Sequence, residues 1–203
     1  MSRELIAILR GVTPDEVEDI GAALVEAGID RIEVPLNSPD PFTSITRLAV
    51  SLSGKAVVGA GTVLGPEDVD RVQDAGGTLI VSPDCNPEVI DRTKALGMAS
   101  FPGVLTPTEC FTALRHGADG LKFFPGSLIG PSGLKAVRAV LPVGTKTYAV
   151  GGAEPSNFTV WFAAGVTGFG IGSALYKPGA TAQVVAQAAA DIVAAYDRHA
   201  PET

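Results

Sequence analysis

The sequence predicts an α/β protein, a (β/α)8 TIM barrel running through residues 1–203 as a single domain. Three observations carry that expectation: short apolar runs recur along the chain, several helices open on a cap residue followed by proline, and a glycine closes each helix before the next run. The closing pattern reads Ala27-Gly28-Ile29, Ala75-Gly76-Gly77, Leu96-Gly97-Met98, His116-Gly117-Ala118 and Ala164-Gly165-Val166, with weaker copies at Ser53-Gly54 and Val143-Gly144. Glycine just past a helix supplies the left-handed cap. The spacing is about 20 residues or twice that, the length of one strand plus one helix.

The first strand is expected over residues 5–9, the wholly apolar Leu5-Ile6-Ala7-Ile8-Leu9. Thr13-Pro14 opens the helix after it, whose apolar face is Val17, Ile20, Leu24 and Val25 at helical spacing. The second strand, 31–34, carries an acid, Glu33, between Ile32 and Val34, and Ser38-Pro39 opens the next helix. Strands at 56–59, 78–81 and 99–101 follow, each succeeded by a helix opener: Gly65-Pro66, Asn86-Pro87 and Thr106-Pro107. Proline suits the first helical turn because the N–H it lacks has no partner there. The sixth strand, 120–123, contains Lys122, and strands at 146–149 and 168–171 complete the set. The last helix carries Val184, Val185, Ala188, Ile192 and Val193. Eight such units close as a small barrel. An open doubly wound sheet is the alternative, but the first strand is followed by Arg10-Gly11-Val12-Thr13-Pro14, without the Gly-x-Gly-x-x-Gly turn that fold favours.

A chain with 46% hydrophobic and 18% charged residues is not disordered. Its net charge of −7 argues against nucleic acid or an anionic membrane as partner, so an anionic ligand must be held by local groups. No apolar run reaches the length of a membrane span, and the opening Met1-Ser2-Arg3-Glu4-Leu5-Ile6 is too short for a signal peptide. Cys85 and Cys110 fit neither a disulfide framework nor a metal site, and His116 and His199 are far apart. The expectation is a reduced cytoplasmic protein with no structural metal.

Functional groups of such a barrel lie at the C-terminal ends of its strands. Lys122 is the lysine embedded in an apolar strand, whereas Lys55, Lys94, Lys135, Lys146 and Lys177 read as solvated surface charges. Burial lowers an ammonium's pKa toward the range where the free amine attacks carbonyls and forms Schiff bases. Strands two and six contribute to the same interior layers, so Glu33 faces Lys122 across the barrel. An imine-forming lysine and a carboxylate that moves an adjacent proton are the minimal set for imine–enamine chemistry. Gly151-Gly152 and Gly172-Ser173 fall in the loops after strands seven and eight, a frequent phosphate site, where backbone N–H groups at a helix start favour an anion. Turn-making alone is the other reading of those glycines. Arg10 offers a forked donor to a carboxylate or pairs with Glu33. Thr62 and Phe124 supply a hydroxyl and an apolar wall, or simply pack.

Six segments in order, at predicted strand ends, resemble a known family: Ile8-Leu9-Arg10-Gly11, Ile32-Glu33-Val34-Pro35-Leu36-Asn37-Ser38-Pro39, Gly59-Ala60-Gly61-Thr62-Val63-Leu64, Leu121-Lys122-Phe123-Phe124-Pro125, Ala149-Val150-Gly151-Gly152 and Gly170-Ile171-Gly172-Ser173. The chain is similar over essentially its whole length to the class I keto-deoxy-phospho-sugar aldolases, which act on 2-keto-3-deoxy-6-phosphogluconate or its galactonate epimer. The resemblance implies a small-molecule phosphorylated keto-acid sugar as substrate, no cofactor or metal, and a homotrimer. It makes Lys122 the Schiff-base lysine and Glu33 the general acid/base. It gives the phosphate to Gly152, Gly172 and Ser173, and the pyruvyl end to Arg10 and Thr62. The gluconate branch typically has Glu-Val-Thr-Leu-Arg where this chain has Glu33-Val34-Pro35-Leu36-Asn37, and a threonine where it has Val150. Both departures look like the galactonate branch. The alternatives are action on the gluconate epimer or on both C4 epimers, a barrel isomerase or transferase using Lys122 only as a point charge, and a non-catalytic barrel that binds a sugar phosphate.

Overall fold

The computed structural model describes residues 3–200. Its strands are β1 (Leu5–Ile8), β2 (Arg31–Pro35), β3 (Val57–Gly61), β4 (Leu79–Val81), β5 (Ala99–Phe101), β6 (Gly103–Val104), β7 (Leu121–Phe123), β8 (Thr147–Val150) and β9 (Gly168–Ile171). The helices are α1 (Val17–Ala27), α2 (Pro41–Ser51), α3 (Pro66–Asp74), α4 (Pro87–Ala95), α5 (Pro107–Arg115), α6 (Gly126–Arg138), α7 (Phe158–Ala163) and α8 (Ala182–His199). All pairings are parallel, in the order β5-β4-β3-β2-β1-β9-β8-β7-β6. The ends of that order, β5 and β6, are two halves of one strand course interrupted at Pro102, which has no N–H for a ladder. The Pro102 carbonyl still accepts the Lys122 N–H at 2.9 Å, and the sheet closes as a (β/α)8 barrel.

The sequence reading places each strand within two residues, and it misses the continuation past Pro102. The closing glycines Gly28, Gly76, Gly97, Gly117 and Gly165 all have positive φ, between 71° and 95°. Gly65, Asn86 and Thr106 are helix caps as expected. Two openers need correction. Helix α2 begins at Pro41 behind Asp40, and Ser38 is a loop residue whose hydroxyl accepts the Gly11 N–H at 2.9 Å. Helix α1 begins at Val17, because Thr13 and Pro14 lie in the turn before it and Thr13 is tied to Glu16. On α8, Val184 is exposed while Val185, Ile192 and Val193 are buried.

Two apolar layers position the site. A large one fills the space between sheet and helices, with Leu5, Leu9, Ile20, Leu24, Ile32, Phe123 and Phe169 among its members. A smaller one lies inside the barrel: Ile6, Ile8, Leu79, Val81, Phe101, Tyr148 and Val150. The strand period of two sends alternate side chains to these layers. Glu33 is in register with Ile8 of β1, and Lys122 with Tyr148 of β8, so both charged residues belong to the inner layer. The N-terminal mouth is closed by Glu4, whose carboxylate accepts from Tyr148 Oη at 2.6 Å and Lys146 Nζ at 3.0 Å and pairs with Arg31.

Among the described residues no helix is long and apolar enough to cross a membrane.

Candidate active site

A cavity of about 450 Å³ opens at the C-terminal ends of the strands. Lys122 and Glu33 rise into it from the apolar inner layer and are almost fully buried, with 6% and 1% of their surfaces exposed. Glu33 Oε2 has no hydrogen-bond partner. A buried carboxylate left in that state is costly unless it is protonated or poised for a ligand. Burial pushes the Glu33 carboxyl up to about 7, while the charges of Lys122 and Arg10 pull it the other way. Burial also holds the Lys122 ammonium below its ordinary value, and the Glu33 charge partly offsets that. Burial thus favours the free amine at Lys122 and keeps the Glu33 carboxyl titratable near neutral pH. They form no direct ion pair, so substrate or water has room between them. The Lys122 ammonium lies 4.8 Å from the centroid of the Phe124 ring, an apolar wall that also carries a cation–π contact.

Space for the Glu33 carboxyl comes from glycine on the neighbouring strand. A Cβ on Gly61 would lie 2.0 Å from Glu33 Oε2 and 2.4 Å from Oε1. The sequence shows Gly61 only as part of a strand end, and its packing role requires the β2–β3 register.

Arg10, just beyond β1, donates to Asn37 Oδ1 at 2.5 Å and to Thr62 Oγ1 at 3.4 Å. It makes no ion pair with Glu33, which removes that alternative. Thr62 does not line the cavity itself but braces Arg10, and its backbone has φ 57°, a conformation β-branched residues rarely adopt. Gly151, Gly152, Gly172 and Ser173 line the cavity beside Val150. Gly151 and Gly152 have φ of 89° and 82°, and a 3-10 turn, Pro155–Asn157, leads from them into α7. Gly172-Ser173 does not start a helix as expected. Its segment is a turn in which the Leu175 and Tyr176 N–H groups both donate to the Gly172 carbonyl, and α8 starts only at Ala182. The sequence reading also missed Tyr176, Lys177, Pro178 and Glu154, which line the cavity. Lys177 is exposed, as expected of a surface charge, and it also stands at the cavity rim because its loop folds back over the barrel mouth.

Comparison with known proteins gives a consistent result. The family model described as KDPG and KHG aldolase matches residues 2–192. A protein of Rhizobium meliloti strain 1021 named probable 2-dehydro-3-deoxy-6-phosphogalactonate aldolase is 51% identical, over 97% of this chain and 93% of its own. The 2-dehydro-3-deoxy-6-phosphogalactonate aldolase of Escherichia coli K12 is 48% identical, over 95% and 94% respectively. A solved structure described as native KDPGal superposes with a TM-score of 0.96 at 47% identity, covering 98% of this chain and 97% of that one.

Proposed function

The chain belongs to the KDPG and KHG aldolase family, and on that premise we propose that it is a class I aldolase cleaving 2-dehydro-3-deoxy-6-phospho-D-galactonate to pyruvate and D-glyceraldehyde 3-phosphate. The observation that carries the proposal is a buried lysine and a buried, unpartnered carboxyl sharing one cavity. The free amine of Lys122 attacks the C2 ketone, and loss of water gives a protonated imine. Glu33, directly or through water, takes the C4 hydroxyl proton. The C3–C4 bond breaks, its electron pair flows into the imine to form an enamine, and C4 leaves as the aldehyde. Glu33 returns its proton to C3 of the enamine, and hydrolysis of the resulting imine releases pyruvate and Lys122.

Arg10, braced by Asn37 and Thr62, is the proposed partner of the substrate carboxylate. Gly151, Gly152, Gly172 and Ser173 are the proposed phosphate wall, and anchoring at both ends aligns the bond that breaks. The names of the two relatives favour the galactonate epimer, and the apolar Val150 in the cavity is compatible with that epimer or with relaxed C4 selectivity. Pyruvate release from each C4 epimer, followed by coupled reduction to lactate, tests the assignment. A higher kcat/KM on the galactonate epimer supports it, and preference for the gluconate epimer overturns it.

Assembly as a homotrimer in the cytoplasm belongs to the same reading. Leu128 of α6, Val160 of α7, and Val140 and Val143 between them are exposed apolar side chains available for subunit contact. Sedimentation equilibrium at a single protomer mass would contradict the trimer.

A further inference from the structure

We propose that Lys177 binds the phosphate of the substrate, as the side-chain cation of that end of the cavity; the proposal rests on the aldolase reading above. Three cations line the cavity: Arg10, Lys122 and Lys177. Arg10, braced by Asn37 and Thr62, is assigned to the substrate carboxylate, and Lys122 stands on the barrel floor with Glu33. Lys177 makes no ion pair or side-chain hydrogen bond among the described residues and belongs to the same run, 172–178, as Gly172 and Ser173.

The backbone of that run is held on both sides of Lys177. Before it, Leu175 and Tyr176 are buried, and their N–H groups donate to the Gly172 carbonyl at 2.8 and 3.0 Å. The Tyr176 hydroxyl donates to Glu16 Oε1 at 3.0 Å, and the same oxygen accepts the Thr13 N–H at 3.0 Å. After it, the Lys177 carbonyl accepts the Ala180 N–H at 2.9 Å across Pro178 and Gly179, the latter at φ 82°. Proline followed by a positive-φ glycine is the residue pattern of a type II turn. Pro178 packs on Gly11 so closely that a Cβ there would lie 2.7 Å from Pro178 Cγ. Only the lysine side chain itself is left to order when an anion arrives, which limits the entropy lost on binding.

Electrostatics supply the need. The protein carries a net charge of −7, and Glu154 lines the same cavity. Without Lys177, backbone N–H groups and the Ser173 hydroxyl would have to bind a phosphate dianion against that field. A lysine at the rim provides a point charge of the required sign.

The test compares the phosphorylated substrate with its dephosphorylated analogue in wild type, Lys177→Gln and Lys177→Arg. The ratio of kcat/KM for the two substrates is expected to fall about tenfold in Lys177→Gln, the size of one charge-assisted hydrogen bond, and to recover largely in Lys177→Arg. An unchanged ratio, or equal loss on both substrates, overturns the proposal. Calorimetric titration with inorganic phosphate gives a readout independent of turnover: weaker binding by Lys177→Gln supports the assignment, and equal affinity refutes it. Failure of the aldolase reading shows separately, as absence of pyruvate release by the wild type, and the phosphate titration still decides the role of Lys177.

Discussion

Replacing Gly61 with alanine would put a methyl group where the Glu33 carboxyl now lies. The added Cβ would be 2.0 Å from Oε2, 2.3 Å from Cδ and 2.4 Å from Oε1, whereas relaxed contacts begin at about 3.5 Å. The carboxyl must therefore retreat by more than about 1 Å, a misplacement that costs on the order of 100-fold in rate. Overpacking of this kind costs about 1–3 kcal/mol of stability. Glu33→Ala should remove the obstacle, so a double-mutant cycle separates packing against the carboxyl from any requirement of the β3 backbone. Urea denaturation of wild type, Gly61→Ala, Glu33→Ala and the double variant supplies the four stabilities. Gly61→Ala is expected to cost about 2 kcal/mol alone and under about 0.5 kcal/mol in the Glu33→Ala background. Equal cost in both backgrounds would refute the reasoning, as would a Gly61→Ala enzyme that keeps wild-type kcat/KM.

Ionised Glu33 is needed to accept the C4 hydroxyl proton, so kcat/KM for cleavage should rise with pH through about 7, and Glu33→Gln should abolish most activity together with that inflection. The folded-state value lies above the ordinary 4.5, so the folded protein holds this proton longer and the group's contribution to stability falls as pH rises from 4.5 to about 7; denaturation curves of wild type across that range check the sign. Thr62→Gly should stabilise the protein by about 1 kcal/mol, since relief of the positive φ outweighs the flexibility of glycine, while KM rises as Arg10 loses its brace. A loss of stability would count against strain at Thr62. Tyr148→Phe should cost about 1–2 kcal/mol by removing the 2.6 Å bond to Glu4. It should leave kcat within about twofold of wild type, because side chains at the N-terminal mouth of a barrel serve stability and the chemistry lies at the C-terminal face; thermal melts and steady-state rates measure both.

Much of the barrel was legible because its punctuation is local. Gly28, Gly76, Gly97, Gly117 and Gly165 mark helix ends through their own backbone requirement, and Asn86-Pro87 and Thr106-Pro107 mark helix starts. Ser38-Pro39 misled because the same residue types serve in a loop when a partner is near, here the Gly11 N–H. Lys122 and Glu33 stood out because a charge within an apolar strand is anomalous in one dimension. Strand parity then brought them to one cavity. The function of Gly61 was hidden because it depends on what lies in the next strand, and a glycine gives no sign of which side chain it admits. Lys177 was hidden for a similar reason. Its place at the cavity follows from Tyr176 reaching Glu16, 160 residues away in sequence, and from Pro178 meeting Gly11. The bracing of Arg10 by Asn37 likewise joins loops after two different strands.

The central claim is that Lys122 forms an imine with the substrate ketone. Incubation of the full-length protein with pyruvate and borohydride, followed by peptide mass analysis, addresses it directly. The account predicts irreversible inactivation with a reduced pyruvyl adduct on Lys122, and no such adduct in Lys122→Arg. Full activity after that treatment, or an adduct confined to another lysine, would contradict it.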